Sequence, residues 1–208
     1  MEEPKPHWYA LKVFYNKVFD MEALFNGMGL ETYIAVDKVL LKGEAHLQAR
    51  RHIASLQALG QTDTRYIQEG ALIFQRKPFV TSIIFVRAQE KDLPFVEGAL
   101  KEEGSNTCKG FIYKNAMRKE YAAIPDNQMA SFRLVTAKGS EGLEFFSDDA
   151  YTRFKEGGRV RVTGGPFKGA EGYIKRIKRD RRLLVNIEGI VAVVTSYIDP
   201  QYLEIVKE

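Results

Sequence analysis

The sequence predicts an α+β chain in two parts, a mixed α/β region followed by a small all-β barrel. Strand-like and helix-like stretches alternate up to about residue 136. Beyond about residue 153 glycine becomes dense, valine and isoleucine alternate with charge, and no helical period appears. The stretch Ala137 to Asp149 between them is polar, acidic and glycine-containing, which reads as a linker over 138–152. The parts are therefore 1–137, 138–152 and 153–208.

In order along the chain, Trp8 to Phe14 is aromatic and apolar and reads as a first strand. Val18, Met21, Leu24, Phe25 and Met28 share one face of a helix, with Asn16 as its expected N-cap and Gly29 as its stop. Thr32 to Val36 is a second strand. Leu47, Ile53, Leu56 and Leu59 indicate a helical insertion near 43–60. Phe79 to Arg87 carries apolar residues on both faces of the pleat, as expected of a strand that is central or that presents one face to a partner. Asp92 and Pro94 open a helix running to Gly104. Lys109 to Tyr113 is a strand, Tyr121 to Ile124 a shorter extended piece, and Pro125 begins a helix with Met129, Phe132 and Val135 on one side.

The bulk composition excludes several classes. The chain has 208 residues, 45% of them hydrophobic, enough for real cores. No apolar run approaches the ~20 residues needed to span a bilayer, and the opening Met1-Glu2-Glu3-Pro4 has no apolar signal segment, so a cytoplasmic protein with no membrane partner is expected. The single cysteine, Cys108, and the scattered His7, His46 and His52 offer no metal set. No phosphate-binding loop, nucleophile elbow or paired ligand motif is present; neither an enzyme nor a cofactor is expected. Charge is uneven. Residues 153–208 hold 12 Lys+Arg against 7 Asp+Glu, whereas residues 1–152 hold 19 against 20. A basic C-terminal part steers toward polyanions without specifying one.

From Gly158 to Ile174, Val160 and Val162 alternate with Arg159 and Arg161. A Gly164-Gly165-Pro166-Phe167 turn follows, and Gly169 and Gly172 permit a reversal into the next strand. The segment resembles the KOW motif of NusG-type transcription factors and several ribosomal proteins; its key positions here are Gly158, Val160, Val162, Gly165, Pro166, Phe167, Gly169 and Gly172. The order Trp8-Tyr9, Gly110-Phe111, Ile124-Pro125-Asp126, linker and KOW resembles the NusG family over nearly the whole chain. With its helical insertion, the chain is similar to specialised paralogues of the UpxY and RfaH type. Where the family carries a Phe-Pro-Gly-Tyr-like run, this chain has Val80-Thr81-Ser82-Ile83.

The resemblance implies an N-terminal α/β sandwich, an antiparallel-type sheet with helices, joined to an SH3-like KOW barrel. It implies a monomeric bacterial elongation or antitermination factor. The front domain docks on the clamp helices of the RNA polymerase largest subunit through Tyr9, Val80, Ile83 and Phe85. Arg50, Arg51, Arg76 and Lys77 are the candidates for contact with non-template DNA. The barrel recruits ribosomal protein S10 or a termination factor, with Ile190 and Val191 in the loop at the family's contact region. The alternative is a KOW-containing RNA-binding or ribosome-associated protein, against which the near-neutral charge of residues 1–152 argues.

Overall fold

The computed structural model describes residues 5–101, 109–115, 118–137, 141–147, 158–177 and 180–206. In chain order these form β1 (His7–Val13), α1 (Val18–Gly27), β2 (Glu31–Tyr33), β3 (Val36–Leu40), α2 (Gly43–Ala58), β4 (Tyr66–Glu69), β5 (Leu72–Pro78), β6 (Ile83–Ala88), α3 (Leu93–Ala99), β7 (Gly110–Ile112), β8 (Ala123–Ile124), α4 (Asp126–Thr136), β9 (Glu144–Ser147), β10 (Arg159–Val162), β11 (Glu171–Ile177), β12 (Asp180–Ile187), β13 (Val191–Tyr197) and β14 (Leu203–Ile205). They build three sheets: β2-β6-β1-β7 with β8 paired to β1, β3-β5-β4, and β14-β10-β11-β12-β13-β9. No helix among the described residues is long and apolar enough to cross a membrane.

Two units emerge, Met1–Ala10 with Arg87–Leu93 and Ile112–Glu208, and Leu11–Val86 with Pro94–Phe111. This division differs from 1–137 and 153–208, because α4 packs on β11 and β12. The Glu171 N–H donates to Ser131 Oγ at 3.0 Å, tying α4 to the six-stranded sheet.

In that unit the expected alternation governs burial. Val160 and Val162 point inward from β10 while Arg161 stays exposed. Phe167 folds back and is buried, and the intervening turn uses left-handed backbone at Gly165 and Gly169. Arg161 and Arg159 share the carboxylate of Glu171, at 2.6 and 2.8 Å. The Arg161 guanidinium, through its hydrogen bonds to Glu171, draws that carboxyl below its usual range. Among the described residues, the strand pairings of the six-stranded sheet are antiparallel. Over the same residues its strand order runs β14-β10-β11-β12-β13-β9.

The stretch read as a linker contains β9. Phe145 and Phe146 sit opposite Val193 and Ala192 of β13, so their apolar character is spent on pairing. Residues 138–140 and 148–152 of that stretch lie outside the described residues, as do Gly104, Cys108, Lys178 and Arg179.

In the other unit α1 buries Val18, Met21 and Phe25. Gly29, with φ +79, ends it, while Leu30 N donates back to Phe25 O at 3.0 Å. Asn16 is not a cap: it adopts φ 55, and the N-cap is Lys17 with no side-chain bond. The expected strand 79–87 starts later, at Ile83, because residues 79–82 form a bend and turn with Ile83 N donating to Val80 O at 3.5 Å. The predicted strand Thr32 to Val36 splits into β2 and β3, and β3 opens a separate sheet with β4 and β5.

Candidate functional site

The proposed docking quartet divides by burial. Tyr9, Ile83 and Phe85 are 3%, 6% and 1% exposed. Only Val80 is half-buried, in the turn before β6. Strand β1 buries four consecutive residues and β6 likewise. A strand covered on both pleat faces offers neither face to a partner. The expected open hollow lined by Tyr9, Ile83 and Phe85 is therefore not a surface of this structure. Phe85 lies 6.4 Å from the half-buried Tyr33 ring. Burial, with the charge of Glu90 second, pushes the Tyr9 hydroxyl above its ordinary pKa. The half-exposed apolar residues that remain here are Val80 and its neighbours Pro78 and Phe79. Phe79 is fixed by its N–H, which donates to Ala35 O at 2.9 Å.

The four cations also separate. Arg50 and Arg51 are exposed on α2, and Lys77 is exposed on β5. Arg76 is engaged elsewhere. Its Nη1 and Nη2 reach Glu22 at 2.6 and 2.9 Å, Nη1 also donates to Thr64 O at 2.7 Å, and the guanidinium stacks 5.0 Å over Phe19. Side-chain exposure is 14% for Arg76 and 7% for Glu22. This bidentate, largely desolvated pair joins α1 to β5 and is a structural staple, not a free phosphate ligand.

The helical insertion hangs on a second ionic cluster. Asp63, 7% exposed, accepts from Arg65 Nε and Nη2 at 2.8 and 2.6 Å and lies 2.8 Å from His52 Nε2 on α2. Burial alone pushes the Asp63 carboxyl up, but the hydrogen bonds from Arg65 and His52 outweigh it and hold it at about 2. A carboxyl whose folded value lies below its unfolded one stabilises above the unfolded value, near 3.9, and loses that contribution as pH falls toward the folded value. Asp63→Asn is thus expected to cost about 2 kcal/mol at neutral pH in urea unfolding. The gap to the parent protein should close between about pH 4 and pH 2. Beside this cluster lies a cavity of about 250 Å³, lined by Leu41, Ala49, His52, Tyr66 and Gln75 among others. Ligand pockets usually exceed ~300 Å³. No group of three or more metal-ligating side chains occurs among the described residues.

In the other unit, Ile190 and Val191 are 4% and 3% exposed and so are not a free contact loop. Gly189, with φ +76, turns the hairpin and Ile190 N donates to Ile187 O at 3.0 Å, which sends both side chains inward. Tyr197, Tyr202 and Ile205 are the large hydrophobic residues exposed in this half, among the described residues. Trp8, which opens the first strand, is capped by the Arg133 guanidinium at 5.2 Å.

The sequence reading missed one exposed feature. Phe14, Tyr15 and Phe111 form a ring cluster at the turn between β1 and α1. The available signal was two aromatics directly after the strand; Asn16 beside them read as a cap and drew the assignment away.

No protein-family model matches this chain, and no curated protein does. Among solved structures the chain is similar to one described as "Domain interaction in Thermotoga maritima NusG", with 15% identity over 98% of each chain and a TM-score of 0.40.

Proposed function

We propose that this protein is a transcription elongation or antitermination factor of the NusG kind, which rides on RNA polymerase and recruits a second partner through its C-terminal sheet. The observation that carries the reading is the segment Gly158 to Ile174. Its alternating valines, buried phenylalanine and glycine turn lie along and between β10 and β11, which pair as an antiparallel hairpin, and this supports the reading. The ordered Trp-Tyr, Gly-Phe and Ile-Pro-Asp fragments ahead of it support the same reading.

Docking on the clamp helices needs an apolar surface that accepts helix side chains. Val80, with Pro78 and Phe79, supplies it, while Ile83 and Phe85 hold β6 rigid behind the turn. Binding of this kind favours the closed, elongating clamp, because the factor adds contacts only to that state. Arg50, Arg51 and Lys77 are the cations left to meet DNA. Tyr197 and Ile205 are the apolar contacts offered to a ribosomal or termination partner.

The test is co-purification of core polymerase on the tagged protein after nuclease treatment. Recovery by the parent and a drop of about tenfold with Val80→Asp are expected, roughly the 1.4 kcal/mol lost when one apolar anchor becomes charged. Unchanged recovery with that variant would remove the docking surface. Loss of partners on RNase treatment alone would favour the RNA-binding alternative. Ile83→Asp is not a substitute, since an unpaired carboxylate at so buried a position reports on folding.

A further inference from the structure

We propose that the cavity between the first turn of α4 and the face of β10, β11 and β12 binds a small zwitterion, a free α-amino acid. Register puts the sheet side chains of this cavity on one face. Arg159 on β10 pairs opposite Tyr173 on β11, and Tyr173 pairs opposite Leu184 on β12. Glu171 lies two residues from Tyr173, and Asn186 two from Leu184, so all of them share that face. Asn127 and Gln128 of α4 line the other side of the cavity, whose volume is about 240 Å³. That is below the ~300 Å³ at which sites for drug-sized ligands begin. It equals roughly eight waters of liquid volume, so the occupant is small.

Size alone does not separate this cavity from the one beside His52. Asn186 does. It is 9% exposed and lines the cavity, and its side-chain amide makes no hydrogen bond to a described residue. The other buried polar side chains among the described residues have partners: Glu22 on Arg76, Ser131 on the Glu171 N–H, Thr136 on Phe132 O and Thr195 on Ser196 O. A buried amide left unpaired is costly and calls for a ligand or an ordered water. The start of α4, a helix of 11 residues, supplies a second donor. The N–H of Asn127, in its first turn, has no acceptor within the helix, and this end of a helix favours negative charge.

Charge selects the occupant. The charged side chains of the lining are Arg159 and Glu171. Arg159 gives Nη2 to Glu171 at 2.8 Å, and its remaining N–H groups suit a carboxylate. Glu171, 15% exposed, holds two arginines and has lone pairs left for an ammonium. An anion alone is repelled by Glu171 and a cation alone by Arg159. A molecule that carries both signs satisfies each. The Asn186 amide, donor and acceptor at once, completes either end, and the half-buried Tyr173 ring is an aromatic wall for the ligand's cation or side chain. The site is independent of the polymerase reading, and either can hold without the other.

Thermal unfolding of the full chain, with the common α-amino acids added one at a time, tests it. At about 100 times its Kd, a ligand of the folded state raises the melting temperature of a chain this size by about 5–10 °C. At least one amino acid is expected to do so, and acetate and methylamine at matched concentration are not. Asn186→Leu removes the amide at similar size and is expected to weaken that amino acid about tenfold, read by calorimetric titration. Arg159→Gln is expected to weaken it at least as much, while Glu171 keeps Arg161. Should Asn186→Leu not fold, Arg159→Gln carries the same comparison. A parent that responds to no amino acid leaves water as the partner of Asn186 and overturns the proposal. An equal shift with acetate or methylamine, or undiminished affinity in either variant, overturns it as well.

Discussion

Replacing Arg76 with alanine is expected to cost about 3–5 kcal/mol of stability, seen as a fall in the urea midpoint with little change in slope. The reason is the charge left behind. Glu22 is 7% exposed, so without Arg76 its carboxylate is buried and unpaired, and the stack on Phe19 is lost as well. Removing both charges together, as Glu22→Met with Arg76→Met, is expected to recover most of the loss, because two apolar side chains of similar length need no compensation. If Arg76 instead served nucleic acid, the alanine variant would fold normally and lose only oligonucleotide affinity.

Gly110→Ala is the second substitution with a large expected effect. A Cβ at Gly110 would fall on the carbonyl oxygen of Lys12, and carbon and Cα atoms of the same β1 backbone stand close behind it. A backbone carbonyl cannot rotate aside, so β7 must move away from β1 and the Phe14 N to Lys109 O bond stretches with it. The expected loss is about 2–3 kcal/mol, the upper range for overpacking. Gly27→Ala in α1 is the contrast. Nothing lies within 4 Å of its Cβ position, so alanine should stabilise by about 0.5–1 kcal/mol through helix propensity. Thermal unfolding of the two variants side by side checks both signs.

These cases show which features were legible in the sequence. The valine–arginine alternation of β10 and the glycine turn after it are local patterns, and the fold follows them. Arg76 was misread because its partner, Glu22, is 54 residues away, and no local pattern joins them. Ile190 and Val191 follow a turn glycine and could not be told from exposed loop residues, since their burial is decided by what packs behind the hairpin. Ile83 and Phe85 were correctly placed in a strand with two apolar faces. Whether one face stays open depends on the covering elements, which periodicity does not report. Tyr15 and Asn16 were hidden by a competing rule, because asparagine before a helix is ordinarily a cap.

The pairing of β9 with β13 changes what kind of joint the chain has after α4. Glu144 to Ser147 occupies the outer flank of β13 along Val191 to Val194. A fragment begun at residue 153 would therefore bare a row of unpaired main-chain groups beside three valines. Such a margin recruits any other extended strand, including one from a second molecule. The four residues act as a guard strip against self-association, and the C-terminal sheet is complete only when they come with it.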